Sequence, residues 1–223
     1  LLRRTTDCEI ELNFTTSRKG LEALRGGKCE LAGFNFPKSS SNNSKAFETF
    51  GHLLTENNRL IFFATRLQGL AVAPNNPKKI YSILDIASRK ARFINRREGT
   101  GTRILFDQIL DVLAVKPEEI EGYNDISDTQ FFTAVQIAAG KVDVGLCTAN
   151  VAKENGLEFI PLAKEVYYLA ADQKFLETQK AKKFLQFLRS YDWSEHKEQL
   201  EGYDFNGTGE VFKVSDVFPS EGN

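Results

Sequence analysis

The chain has 223 residues, 41% of them hydrophobic, enough for one large domain or two smaller lobes with cores of their own. Lys and Arg number 29 against 30 Asp and Glu, and the net charge of -1 excludes a chain-wide basic footprint for nucleic acid. No apolar run approaches the roughly 18 residues of a membrane span, and Cys8, Cys29 and Cys147 lie too far apart for a zinc site or a disulfide framework.

The three cysteines read instead as small apolar residues with free thiols. Leu1-Leu2-Arg3-Arg4 reads as the tail of an amphipathic helix, and methionine is absent throughout. Together these point to a native start upstream. No signal peptide is visible within the chain.

In chain order, residues 9–14 alternate apolar and polar and predict a strand. Thr15-Thr16-Ser17 follows, with Ser17 as N-cap of a helix bearing Leu21 and Leu24. Gly26-Gly27 stops that helix, and Lys28 leads into a short apolar strand. Residues 38–45, rich in Ser and Asn, predict a surface loop. Residues 60–64 and 69–73 predict two apolar strands, the second closed by Pro74-Asn75-Asn76-Pro77.

Phe93-Ile94 predicts a strand that runs into the turn Gly99-Thr100-Gly101-Thr102 and then into a helix with Ile104, Leu105, Ile109, Val112 and Leu113 on one face. At a helix start the first N–H groups lack internal acceptors and the macrodipole is positive. Glycines there admit a ligand close to the backbone, and hydroxyls add donors. Residues 88–103 carry six basic side chains against Glu98 alone, a local charge of +5. The third glycine of a dinucleotide loop is replaced by Ile104, and no Gly-Lys-Ser/Thr triplet of a P-loop occurs.

Asp128-Thr129 caps a further helix bearing Phe132, Val135 and Ala139. Gly140-Lys141 stops it before an apolar strand with one acid, Asp143. This unit repeats the one beginning at Ser17: capped start, Gly-Lys exit, strand. Residues 166–171 predict a strand, 180–191 a helix with Ala181, Phe184, Leu185 and Leu188 on one face, and 211–214 a last strand. Strands alternating with helices mean an α/β class. The return segment packs most simply on the first lobe.

The candidate ligand donors are Thr15, Thr16 and Ser17 on the first lobe and Thr100, Gly101 and Thr102 on the second, each set readable also as an ordinary helix cap. Arg103 either forks onto an anion or pairs with Asp107 one turn on. Thr129 reaches toward the ligand, whereas Asp128 would repel an oxyanion and is structural. Of Tyr167 and Tyr168, one hydroxyl closes the site and the other ring packs. His52 and His196 are isolated. No Ser-His-acid order, carboxylate pair or metal cluster emerges, so no catalytic residue, cofactor or resident metal is expected.

Residues 66–77 (Arg66-Leu67-Gln68-Gly69-Leu70 through Pro77) and 93–103, together with Ile120-Glu121-Gly122-Tyr123, the 140–146 unit, residues 156–162 and Gly202-Tyr203-Asp204, resemble the type II periplasmic-binding-protein-like substrate-binding domain. That domain is related to molybdate- and tungstate-binding proteins and occurs fused to helix-turn-helix regulators and molybdopterin-biosynthesis proteins. The chain departs from the family in lacking a Gly-Ser-His-Asp-like turn, in having Thr129-Gln130 for Thr-His, and in having Thr15-Thr16-Ser17 for Gly-Ser.

The resemblance implies a two-lobed α/β fold, each lobe a mostly parallel sheet flanked by helices, with the ligand in the interlobe cleft. Lobe 1 is expected over residues 1–66 and 167–223 and lobe 2 over 67–166, with hinges near 65–68 and 165–168. It further implies a cytoplasmic, non-enzymatic sensor of molybdate or tungstate. Ligand-induced closure would signal to a DNA-binding or molybdenum-cofactor partner domain outside this chain, without direct nucleic-acid binding. Two alternatives stay open: the extracytoplasmic solute-binding component of an oxyanion importer, and the ligand-binding domain of a molybdopterin-biosynthesis enzyme.

Overall fold

Two 15-residue strands, β2 (Asn58–Val72) and β6 (Glu158–Asp172), each run from one compact unit of the chain into the other. The computed structural model describes residues 10–38, 44–196 and 198–218. Unit 1 comprises the described residues of 10–65, 166–195 and 204–218, and unit 2 comprises 66–165 with 196–203.

Unit 1 orders β1 (Leu31–Pro37), β6 and β2; the two-residue strand β7 (Tyr203–Asp204) also pairs with β2, and β8 (Val211–Lys213) lies antiparallel on β2. Its helices are α1 (Ser17–Arg25) and α2 (Ser44–Phe50), with others following further along the chain. One face of the sheet is aromatic. Tyr168 stacks on Phe36 and meets Phe34, Phe62 and Phe212, and Phe218 closes over Phe36. Such ring pairs add about 0.5–1.5 kcal/mol each beyond their buried area.

Unit 2 orders β6, β2, β5 (Val144–Thr148), β3 (Phe93–Arg96) and β4 (Ile126–Ser127). β3 is parallel to both β4 and β5, and β2 is antiparallel to β5. Helices cover both faces, so β3 and β5 are buried at every position. Leu70 and Val72 join Phe93, Phe106 and Leu110 on one face, while Ala71 joins Ala134, Ile137 and Ala152 on the other. The helices are α3 (Ile83–Ser88), α4 (Gly101–Leu113), α5 (Gln130–Ala138) and α6 (Ala149–Glu154). In unit 1, α7 (Gln173–Leu176), α8 (Gln179–Ser190) and α9 (Val214–Val217) complete the set.

The repeated helix exit is real at the level of backbone geometry. Gly27 and Gly140 have φ of 65° and 68°, and nothing stands within 4 Å of where a Cβ would lie. The left-handed backbone, not crowding, therefore selects glycine. Lys28 N–H reaches Ala23 O and Lys141 N–H reaches Gln136 O, so both helices close with the same six-to-one bond.

Three expectations are corrected. The two strands at 60–64 and 69–73 are one, because residues 65–68 stay extended within β2. Residues 10–16 form no strand: Leu12 and Phe14 are exposed, so the alternating pattern has no sheet face to bury against. The cap of α1 is Thr16, which accepts the Lys19 N–H, and Ser17 is the first helical residue. Leu1 to Arg4, Cys8, and most of the Ser/Asn stretch at 38–45 lie outside the described residues.

Candidate functional site

The parallel strands of unit 2 end together, and each hands the chain to a helix start. Thr100 caps α4, Thr129 caps α5, and Thr148 precedes α6 directly. Register sets the rim. Gln68 on β2 stands opposite Thr148 on β5, and Arg96 on β3 stands opposite Ser127 on β4. Arg96 lies two residues beyond the Ile94–Gly145 pair, level with Cys147. Gln68 and Thr148 thus stand one residue along from the row of Gly69, Cys147, Arg96 and Ser127, at strand ends beside helix N-termini that favour anions.

Arg96 dominates this row electrostatically. It is 8% exposed, its Nη1 donates to Ser127 O at 2.7 Å, and its Nε has no partner. No carboxylate forms an ion pair with it among the described residues. Burial lowers the guanidinium to about 10. Asp128 opposes that shift, while Arg66 and Arg97 add to it. A desolvated, unpaired cation is expensive unless an anion completes it.

A polar chain runs beside it. The Thr148 N–H and hydroxyl both donate to Gln130 Oε1 at 3.0 Å. Gln130 Nε2 donates to Thr102 Oγ1 at 3.0 Å, and Gln68 Nε2 donates to the same oxygen at 2.9 Å. Thr102 and Gln68 are buried, and Gln68 Oε1 has no partner.

A second buried group is the Arg66–Glu165 pair, with Nε and Oε2 2.9 Å apart and the Tyr203 hydroxyl 3.3 Å from Arg66 Nη1. Burial alone would lower the Arg66 guanidinium, but the Glu165 carboxylate and the Tyr203 hydroxyl outweigh it and raise it.

The predicted residues fall into distinct roles. Thr100 is the cap of α4. Its hydroxyl donates to Arg97 O at 2.8 Å and accepts from Arg103 N at 3.3 Å, so only the N–H groups of Gly101 and Thr102 stand at the helix start as donors. Arg103 makes the pairing with Asp107 that its spacing allows. Its Nε bridges both Asp107 oxygens at 3.0 and 2.9 Å, its Cζ sits 4.4 Å above the Tyr123 ring, and the Tyr123 hydroxyl donates to Asp107. Thr129 is exposed, and its hydroxyl accepts the Phe132 N–H at 3.0 Å. Asp128 pairs with Arg97 on the surface.

In unit 1, Thr15 is exposed and Thr16 caps α1. Buried Ser17 faces Asn35, its Oγ 3.5 Å from Oδ1, and the buried Asn35 Nδ2 has no partner. Tyr168 packs its ring in the aromatic core. Half-buried Tyr167 packs its ring against Phe63, and its hydroxyl occupies the space left by Gly33, where a Cβ would clash with it. His52 is exposed, and His196 Nδ1 lies 3.3 Å from Gln199 Oε1.

Sequence reading gave no site role to Gln68, Gln130, Thr148, Asn35 or the Arg66–Glu165 pair, and counted Arg96 only within a basic stretch and the block that carries the family resemblance. The available signal was burial. A strand covered on both faces holds every residue inside, so a polar residue near its end is a buried polar group. Among the described residues no cluster of His, Cys, Asp and Glu is placed to hold a metal, and no helix is long and apolar enough to cross a membrane.

A family model described as PBP superfamily domain matches residues 1–189. The uncharacterised protein YvgK of Bacillus subtilis is 32% identical over 185 residues, 83% of this chain. The match spans 59% of that protein's length. Among solved structures, a protein described as a phosphate ABC transporter substrate-binding protein from Clostridium perfringens, with phosphate bound, is 18% identical with a TM-score of 0.66, covering 89% of each chain. PhnD1 from Prochlorococcus marinus, in complex with methylphosphonate, is 16% identical with a TM-score of 0.61, covering 98% of this chain and 85% of its own. At such identities the likeness establishes the fold, which is that of the type II periplasmic binding proteins.

Proposed function

We propose a ligand for this chain from one premise: it belongs to the PBP superfamily. The ligand is a small oxyanion, phosphate or a phosphonate first, and the chain is its receptor rather than an enzyme acting on it. The observation that carries this reading is Arg96, a buried guanidinium without a carboxylate partner, set beside the N-termini of α4 and α5. An oxyanion there gains a charge-assisted bond from Arg96 and N–H donors from Gly101 and Thr102.

Phosphate and methylphosphonate are the ligands held by the two structural relatives above, which favours phosphorus oxyanions over molybdate and tungstate. The receptor of an oxyanion importer, working outside the cytoplasm, follows more directly from this than a sensor coupled to a DNA-binding or molybdenum-cofactor partner.

Calorimetry and thermal shift with phosphate, methylphosphonate, sulfate, molybdate and tungstate test the proposal. A ligand at a hundredfold excess over its Kd stabilises by about 2.7 kcal/mol. Phosphate or methylphosphonate should raise the melting temperature most. A response to molybdate or tungstate alone would return the sensor reading. No response to any of the five would end the oxyanion proposal.

A further inference from the structure

Within the rim of unit 2, Gln68 is the one polar side chain with no exposed surface and an unpartnered end. Its setting is fixed from behind. The Thr148 backbone N–H, a donor that cannot become an acceptor, holds Gln130 Oε1 at 3.0 Å and so determines which end of that amide faces Thr102. Gln130 Nε2 then donates to Thr102 Oγ1, leaving that hydroxyl with one acceptor site and one proton for Gln68.

Gln68 can meet Thr102 in two ways. It donates Nε2 to the hydroxyl oxygen, as observed at 2.9 Å, which leaves its carbonyl oxygen without a partner. Turned by half a rotation, its carbonyl accepts the Thr102 proton and its NH2 becomes the unpartnered end. Thr102 is satisfied in both states, so the other end of the amide is free to be acceptor or donor. Thr102 lies in the first turn of α4, and Gln68 stands one residue along from the row that holds Arg96.

We infer that the distal amide of Gln68 contacts the ligand and acts as a reversible donor or acceptor, letting the site hold an oxyanion with or without a proton on the facing oxygen. This rests on the oxyanion reading above. Phosphate monoesters lose their second proton near pH 6 and inorganic phosphate about one unit higher, and a fixed donor or a fixed acceptor would favour one of the two forms. A rotatable amide serves both.

The test uses inorganic phosphate by calorimetry at about pH 5.5 and about pH 8, either side of that ionisation, with wild type, Gln68→Leu and Gln68→Glu. Wild type should bind comparably at both. Gln68→Leu should bind at least about tenfold more weakly at both, the loss of one hydrogen bond to a charged ligand. Gln68→Glu keeps an acceptor but loses the donor. It should bind at the lower pH and lose at least about tenfold at the higher, where phosphate has no proton to offer. Gln68→Leu should nearly keep the unliganded melting temperature, whereas Gln68→Glu, which buries a carboxyl, should lower it. Unchanged affinity in Gln68→Leu with phosphate bound by wild type would overturn the inference while leaving the oxyanion reading intact. Failure of wild type to bind phosphate would overturn both. A large fall in the unliganded melting temperature of Gln68→Leu, with affinity kept, would show Gln68 to be a structural residue.

Discussion

Arg66 and Glu165 hold each other at 2.9 Å on neighbouring long strands, Arg66 as the first residue of unit 2 on β2 and Glu165 as the last residue of unit 2 on β6. Glu165 has no exposed surface. Removing one member of such a pair leaves a buried charge uncompensated, at about 3–5 kcal/mol. Glu165→Ala should therefore lower the urea midpoint by that amount, whereas the double variant Arg66→Met with Glu165→Leu should recover most of it. Equal losses in the single and double variants would show that the pair is not coupled.

Arg96 should behave in the opposite sense. Its charge is buried without a counter-ion, so Arg96→Met removes a desolvation cost along with one bond to Ser127 O. Unliganded stability should stay level or rise, and phosphate affinity should fall by at least about 1.5–3 kcal/mol, the range for a hydrogen bond to a charged group. Denaturation and calorimetry on one preparation check both. A variant that loses stability and keeps affinity would make Arg96 structural.

The same residue sets a pH dependence. Folding lowers the Arg96 guanidinium from its usual range to about 10, so the folded state gives up this proton before the unfolded state does. Its contribution to unliganded stability is unfavourable while it is charged, and stability should gain as pH rises above about 10. Anion binding needs the cation and should weaken through that interval. Calorimetry on either side of it checks this: phosphate affinity that stays flat would mean that Arg96 keeps its charge throughout.

The strand at 93–96, the glycine-threonine turn and the helix after it were readable because every signal is local: an apolar run, a cap and a 3.6-residue period. The left-handed stops at Gly27 and Gly140 were readable for the same reason. The interior of the rim was not. Gln68 meets Thr102 across 34 residues and Arg66 meets Glu165 across 99, and no window of sequence contains both partners. Arg103 shows a different failure. The i,i+4 spacing to Asp107 was visible, but that Tyr123 would cover the guanidinium and lock the pair was not. At residues 9–14 the pattern was right for a strand, yet a strand needs a neighbour, and Phe14 is almost wholly exposed.

The cysteines give an independent check on unit 2. Cys147 is buried in the core beside Ala134 and Ala152, and burial pushes its thiol up to about 12. The thiolate is the reactive form, so Cys147 should resist alkylation in the folded protein at neutral pH. Cys29, half-buried with its thiol raised by burial and by Glu30, should react slowly but measurably. Mass spectrometry of timed iodoacetamide labelling separates the two. Rapid labelling of Cys147 would mean that the core around β5 opens.

Thr100 separates cap from ligand donor. Its hydroxyl is engaged twice inside the protein, donating to Arg97 O and accepting from Arg103 N, which leaves no proton to offer an anion. Thr100→Val keeps the shape and removes both bonds, so it should cost about 0.5–2 kcal/mol of unliganded stability, the range for a lost N-cap. Phosphate affinity should change little, because Gly101 and Thr102 supply their backbone N–H groups whether or not the cap is present. Thr100→Ser, which restores both bonds, should recover the stability. If Thr100→Val instead keeps its stability and loses affinity by more than about tenfold, the hydroxyl must leave the cap when ligand arrives. The ligand would then sit deeper over the first turn of α4 than Arg96 and the backbone donors require.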